Sequence, residues 1–466
     1  MGKRYDVVIV GAGPGGYIAA VRASQLDMKV AIVERESLGG VCLNWGCIPT
    51  KSLLRNAEIA RLLTGGGREF GFSVDNLQLD FGAAIDRSRK VSSRLVKGVD
   101  ALLKGNDVDV FMGEGRLTAA DTVQITLNEG GQETLTAGVI ILATGARARL
   151  FPGVTVDGEK VLTYRQALEL RDLPESAIVI GAGPIGLEFA TIWRSYGAEV
   201  TVVEMLDHVL PAEDAEAAKE LNRYLRRAKI KAMTSTRVQE VTATDDGVTV
   251  RVEGPKGEKT LEADVALVAI GVQPNSQNLG LEDVGVELAG EWVKADHYMR
   301  TSVPDIYAIG DLNGKLALAH VASAQGVLAA EMIAGKNPDP FDKAMMPRGT
   351  YTSPQVASFG LTAAEAEEEG HDIEVGQFPF LPNGKALALG ENHGFVKIVA
   401  DRTTHEILGA VIVGPEATEL LPELVLAART ELTPEEIAYT VHAHPTLNEA
   451  LMEAAHDVFG HALQMV

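Results

Sequence analysis

Only two of the 466 residues are cysteine, no apolar stretch reaches the length of a membrane span, and basic residues are too few to balance acidic ones. Without a run of about 20 apolar residues, no spanning helix is expected. The 42 Lys and Arg against 64 Asp and Glu leave a formal charge of −22, which argues against nucleic acid and anionic membranes as partners and suits docking to something basic. The first residues run from a short basic start into an apolar strand with no signal-type segment. Asp6 stands where an N-myristoylation signal beginning at Gly2 would need Ser or Thr. A cytoplasmic location is therefore expected, and there a close cysteine pair points to catalysis before structure. A length of 466 residues exceeds one hydrophobic core and implies three or four domains.

The two cysteines lie within Cys42-Leu43-Asn44-Trp45-Gly46-Cys47, a spacing that chance would seldom give to the only pair in the chain. In a regular helix such residues have Cα atoms roughly 8 to 9 Å apart, beyond disulfide reach. A paired role thus demands a distorted turn, and Gly46 supplies the freedom. Lys51 follows Cys47 by one helical turn, where an ammonium favours a thiolate. On these residues alone three readings stay open: a redox pair, two buried structural thiols, or half of a zinc site completed by His442 and His444.

Upstream, the strand Tyr5-Asp6-Val7-Val8-Ile9-Val10 enters Gly11-Ala12-Gly13-Pro14-Gly15-Gly16 and then a helical pattern. Glycines there let backbone N–H groups approach a pyrophosphate at a helix N-terminus. A second apolar run ends at Glu34, placed to bind a ribose 2′-hydroxyl. The whole unit recurs 170 residues later, with Gly181, Gly183 and Gly186 in the turn and Glu204 as the acid. Two dinucleotide sites imply two cofactors exchanging electrons. The copy beside the cysteines should hold a flavin, the natural acceptor from a dithiol, and the other a nicotinamide. Glu204 favours NAD over NADP, whose 2′-phosphate would meet a negative charge.

Taken together, these residues resemble the flavin-dependent pyridine nucleotide-disulfide oxidoreductases, and within them the dihydrolipoamide dehydrogenases. The likeness runs nearly end to end. Gly39-Gly40-Val41-Cys42 through Lys51 looks like the redox box, Thr301 through Asp311 like the flavin-ribityl motif, and His442-Ala443-His444-Pro445-Thr446-Leu447-Asn448-Glu449 like the C-terminal base motif. The resemblance implies an α/β fold with two Rossmann-like domains plus a C-terminal α+β dimerisation domain containing an antiparallel sheet. Its expected domains are 1–146 (FAD and redox disulfide), 147–272 (NAD), 273–342 (central, completing the FAD site, with a helix over 322–334) and 343–466 (dimer interface). Strands of the last are expected over 351–361, 394–400 and 407–414.

Residue roles follow from the same resemblance. Cys42 and Cys47 form the redox disulfide, His444 is the acid–base catalyst, and Glu449 orients it, although Thr446-Leu447-Asn448-Glu449 is also a capping box by spacing. Lys51 serves catalysis and the flavin, with Glu188 as its partner. Gly11, Gly13, Gly16, Glu34, Gly115, Gly145, Asp311 and Ala319 are expected at FAD, and Gly181, Gly183, Gly186, Glu204, Val238 and Gly271 at NAD; no metal is expected. The implied reaction is oxidation of dihydrolipoamide to lipoamide: His444 takes a thiol proton, the thiolate attacks Cys42, and electrons pass through FAD to NAD. Implied partners are a lipoyl domain, a second copy of the chain, and the basic binding domain of an acyltransferase core. The rival readings are a related NAD(P)H-dependent disulfide reductase and a subunit that chiefly docks. Asn448 departs from the family's usual Ser or Thr, Val272 from an arginine, and Val321 and Gln325 from a lysine and a glutamate.

Overall fold

The structure, a computed structural model, describes residues 3–67 and 69–465. It divides into two compact units: Met1–Ser52 with Ala83–Arg149 and Gly271–Lys343, and Leu53–Gly82 with Leu150–Ile270 and Ala344–Val466.

In the first unit, β1 (Lys3–Val10) is followed by helix α1 (Pro14–Ser24) and β2 (Val30–Glu34). Val7 through Val10 are buried on both faces, the mark of a central parallel strand. They pair with Val30 through Val33 on one side and with Val139 through Leu142 on the other. Short helix α2 (Gly40–Trp45), helix α3 (Cys47–Arg61) and helix α4 (Phe81–Gly105) follow. Next come β3 (Asp109–Ala119), which extends the sheet beside β2, β4 (Thr122–Leu127), and β5 (Gln132–Leu142). β4 runs antiparallel to both β3 and β5, while strand Ile306–Ala308 adds in parallel to β5. Strand order reverses at β1, and the chain leaves its carboxyl end through the glycine turn, the position at which open α/β sheets bind ligands.

Gly15 and Gly326 serve packing. A Cβ on Gly326 would stand 2.5 Å from Gly15 O, so the two glycines let α1 and helix Ala319–Ile333 touch backbone to backbone. The second glycine turn has Ile185 where the first has Gly15.

The second unit repeats the first unit's sheet. Strand Ser176–Ile180 lies between Glu199–Val203 and Val265–Val268, with Lys231–Met233 and Val161–Leu162 outside, all parallel. An antiparallel sheet of Arg237–Thr244, Gly247–Gly254 and Gly257–Ala263 contributes Val248, Val250 and Val252 to the same core. The C-terminal part is the expected antiparallel sheet, with the three expected strands joined by Arg348–Thr350 and Ile373–Pro379 at its edges, ordered Arg348–Thr350, Gln355–Gly360, Ile407–Gly414, Phe395–Asp401, Ile373–Pro379. Phe359, Phe378, Val396, Ile398 and Ile412 bury one face against Leu420 and Leu424 of helix Ala417–Arg429 and Leu451 of helix Glu449–Val458, each side chain contributing about 1.5–3 kcal/mol. Gly376 lets the latter helix lie on its strand, since a Cβ there would stand 2.1 Å from Ala454 O. Among the described residues no helix is long and apolar enough to cross a membrane.

Candidate functional site

The two glycine turns match bond for bond. Gly11 and Gly181 have φ of 107° and 106°, a region open to glycine at little cost. Added Cβ atoms would stand 2.3 Å from Ala143 O and 2.4 Å from Ala269 O, and on Gly16 and Gly186 would meet the carbonyls of Gly11 and Gly181 at 1.9 and 2.1 Å. Gly13 and Gly183 are extended N-caps with Pro at the first helical position, and a Cβ on either would meet nothing within 4 Å. That open space lies over a helix N-terminus, which suits a pyrophosphate. Glu34 and Glu204 are buried, and each braces its own turn: Oε2 accepts from Ala12 N–H at 2.8 Å and from Ala182 N–H at 2.7 Å. Oε1 accepts from Glu36 N–H at 2.8 Å and from Leu206 N–H at 2.9 Å. Carboxylate oxygens keep further lone pairs for ribose hydroxyls.

Gly11, Glu34 and Gly115 converge on one cavity of about 240 Å³, with Thr144, Arg147 and Asn275 also in its wall. A Cβ on Gly115 would stand 3.2 Å from Val10 and Val33. Gly145, at φ 68°, accepts Asn275 N–H at 2.9 Å beside that wall. Glycine turn, open cradle, buried acid and cavity together fit the adenosine and pyrophosphate of a dinucleotide. Arg147 was not foreseen; its guanidinium donates to Pro274 O at 2.7 Å and Asn275 Oδ1 at 3.0 Å, partners that only the fold brings near.

The redox segment breaks as the spacing demands. α2 ends at Trp45, Gly46 takes φ −143° and ψ −119°, and α3 starts at Cys47. The two thiols are hydrogen-bonded to each other. This bond, then burial, pushes the Cys42 thiol well up, and Lys51 pulls the other way. Burial and then the neighbouring Cys42 raise the Tyr17 phenol, another neighbour that no motif marks. Asn44 ties the segment to the preceding loop, donating to Leu38 O at 3.0 Å and Gly40 O at 2.9 Å. Among the described residues no cluster of three or more His, Cys, Asp and Glu suits a metal.

Asp311 lies in the short 3-10 turn Gly310–Asn313, where burial pushes its carboxyl up from 3.8 to about 6. Gln325 Oε1 holds that turn, accepting from Gly310 N–H at 2.7 Å and Asn313 Nδ2 at 2.9 Å. Replacement of the family's glutamate thus preserves an acceptor while removing a charge, and Val321, one helical turn earlier, is fully buried without one. Ala319 opens helix Ala319–Ile333 with no side-chain cap before it. Gly271, at φ 110°, accepts Arg149 N–H at 3.0 Å, and Val272 pairs with Ala148.

In the second unit, Glu188 is 3 % exposed and accepts Tyr351 N–H at 3.0 Å. Val238 packs against the core beneath the second turn. His444 is exposed, and its Nδ1 lies 2.8 Å from Glu449 Oε1. Glu449 Oε2 accepts Thr446 N–H at 2.8 Å. The expected capping box is not formed: Asn448 precedes the helix with no side-chain cap, and Thr446 Oγ1 donates to Ala443 O at 2.7 Å, so Glu449 orients His444 and braces the turn before its helix. Partial burial raises Glu449, but Thr446 N–H and His444 outweigh it and hold the carboxyl below its usual range. Asn448 Nδ2 donates to Glu423 Oε2 at 2.9 Å, and Glu423 Oε1 meets His442 Nε2 at 2.8 Å, so this departure from the family keeps a donor.

Comparison with known proteins agrees with this geometry. The family described as pyridine nucleotide-disulphide oxidoreductase matches residues 5–326, and its dimerisation domain matches 346–455. Curated proteins named dihydrolipoyl dehydrogenase are similar over their full length. One from Mycobacterium leprae is 47 % identical, with 98 % of this chain and 99 % of that protein covered. One from Bacillus subtilis is 42 % identical, with 99 % and 100 % covered. Among solved structures, LpdA from Mycobacterium tuberculosis matches with a TM-score of 0.91 at 31 % identity, covering 98 % of this chain and 99 % of that one. The HOCl-induced flavoprotein disulfide reductase RclA from Escherichia coli, as its Cu(II) complex, matches with 0.87 at 25 %, covering 98 % and 100 %.

Proposed function

The chain belongs to the pyridine nucleotide-disulphide oxidoreductases, and from that premise we infer that it oxidises dihydrolipoamide to lipoamide with NAD as final acceptor. The observation that carries this is the hydrogen-bonded Cys42–Cys47 pair at a helix broken by Gly46, in a chain 47 % identical to named dihydrolipoyl dehydrogenases. When bound, FAD would supply the two-electron chemistry that links the dithiol to NAD.

His444, oriented through Nδ1 by Glu449, takes a proton from one substrate thiol at Nε2. The substrate thiolate attacks Cys42 Sγ, the Cys42–Cys47 bond breaks, and its electron pair leaves on Cys47, whose thiolate Lys51 favours. The second substrate thiol displaces Cys42 from the mixed disulfide. Cys42 takes up the proton of that second thiol, giving lipoamide, a Cys42 thiol and a Cys47 thiolate, with the first proton held on His444. Gly11, Gly13, Gly16, Glu34, Gly115, Gly145, Asp311 and Ala319 hold FAD in this reading. Gly181, Gly183, Gly186, Glu204, Val238 and Gly271 hold NAD, with buried Glu204 supporting NAD over NADP.

The dimerisation-domain match supports a homodimer. Each site then takes its cysteines from one chain and His444 from the other. We place the reaction in the cytoplasm, on lipoyl domains of an acyltransferase assembly whose basic binding domain suits the −22 charge. Steady-state rates with dihydrolipoamide and NAD, compared with glutathione disulfide and NADPH, test the assignment. A clear preference for the first pair is expected; preference for the second would overturn it.

A further inference from the structure

α2 is six residues long, and the last carbonyls of a helix have no partner within it. Asn44 O is one of them, two residues before the break at Gly46. Arg89, on α4, meets it: Nη2 donates to Asn44 O at 2.6 Å and to Ser92 Oγ at 3.2 Å. A cation at a helix C-terminus also opposes the helix dipole. On the far side of the break the chain is held separately. Thr50 Oγ1 donates to Gly46 O at 2.7 Å, and Arg87, two residues before Arg89, donates through Nη1 to Ser52 Oγ at 2.8 Å.

Cys42 and Cys47 thus sit on separate helices either side of the break, six-residue α2 and 15-residue α3, each anchored to α4. The anchoring matters in one redox state above all. In the disulfide, a covalent bond fixes the two sulfurs; in the dithiol, only these noncovalent contacts keep them in register. We propose that Arg89 is a positioning residue for the redox pair: by capping α2 it keeps Cys42 within bonding reach of Cys47 when both are reduced. The inference rests on the dithiol–disulfide reading above. Holding the reduced sulfurs together raises their effective concentration and so favours the disulfide. Releasing them favours the dithiol.

The test equilibrates the FAD-loaded protein with dithiothreitol redox buffers, traps with iodoacetamide, and counts alkylated cysteines by mass. For Arg89→Met the equilibrium should move toward dithiol by about tenfold, equivalent to about 30 mV, with FAD content and melting temperature kept. Lys104→Met, which removes an exposed cation from the same helix, should leave it unchanged. Should Arg89→Met not fold, Arg89→Gln carries the same test under the same criterion. A variant with the wild-type equilibrium, or a shift that comes only with loss of FAD and of thermal stability, would overturn the role. Wild type that never changes its thiol count would instead refute the redox reading itself, so the two failures are distinguishable.

Discussion

Glu449 gives one oxygen to His444 and the other to the turn that precedes its helix: Oε1 lies 2.8 Å from Nδ1, and Oε2 accepts Thr446 N–H at 2.8 Å. The helix that begins at Glu449 is packed on the sheet through Leu451 and Ala454, so the imidazole is referenced to a rigid element although its own ring is exposed. Nδ1 facing a carboxylate is a donor, which leaves Nε2 as the base.

His444→Gln should lower lipoamide turnover by about 10²–10⁴-fold while NADH-driven flavin reduction stays near normal. Both half-reactions can be followed by stopped-flow absorbance. Equal losses in the two would show that His444 supports the fold instead of the thiol chemistry.

Glu449→Gln should cost about 10²-fold or more in turnover, because an amide can donate to Nδ1 and invert the tautomer. Since Thr446 and His444 hold this carboxyl below its usual range despite partial burial, its contribution to stability is present above the unfolded carboxyl pKa and fades as pH falls through the lower folded value. The stability gap between wild type and Glu449→Gln should therefore close in acid. A gap independent of pH would contradict the bond.

Asp311 has the opposite sign. Its carboxyl is pushed up by burial from 3.8 to about 6, so the folded chain binds the proton more tightly and loses stability as pH rises between those values. Asp311→Asn should stabilise the FAD-free protein at about neutral pH, make no difference at about pH 3, and weaken FAD binding. Chemical denaturation at both pH values and a flavin fluorescence titration check this; an FAD-free variant less stable than wild type at neutral pH would refute it.

Much of this architecture was legible in the chain. The glycine turns, Glu34 and Glu204 were readable because a close backbone approach and a strand-end acid demand particular residues at fixed spacing. The break at Gly46 followed from helix geometry once the two cysteines are taken as a pair. What stayed hidden were contacts made across long separations by common residue types. Arg89 reaches Asn44 from 45 positions away, and Arg147 reaches Pro274 from 127; neither lies in a motif. Gln325 and Asn448 stood out as departures, yet only the structure reveals that one keeps an acceptor and the other a donor.

Glu204→Gln combined with Met205→Arg should narrow the preference for NAD over NADP, because the change removes a negative charge from beside the 2′ position and adds a cation. The ratio of kcat/KM values measures it. A wild type that already prefers NADP would contradict the assignment of Glu204.

Mixed dimers test the shared site. Cys47→Ser and His444→Gln chains, each inactive alone, should regain activity once exchanged into heterodimers, since one site inherits both defects and the other neither. Verified heterodimers as inactive as their parents would place the cysteines and the base of each site on the same chain.

The most direct measurement uses the fact that Cys42 and Cys47 are the only cysteines. Anaerobic protein, alkylated and weighed, should carry no label as isolated and two after one equivalent of dihydrolipoamide. After NAD it should carry none again, with one NADH formed per chain. Two labels at every stage, or NADH formed without any change in label, would contradict a reaction that runs through this pair.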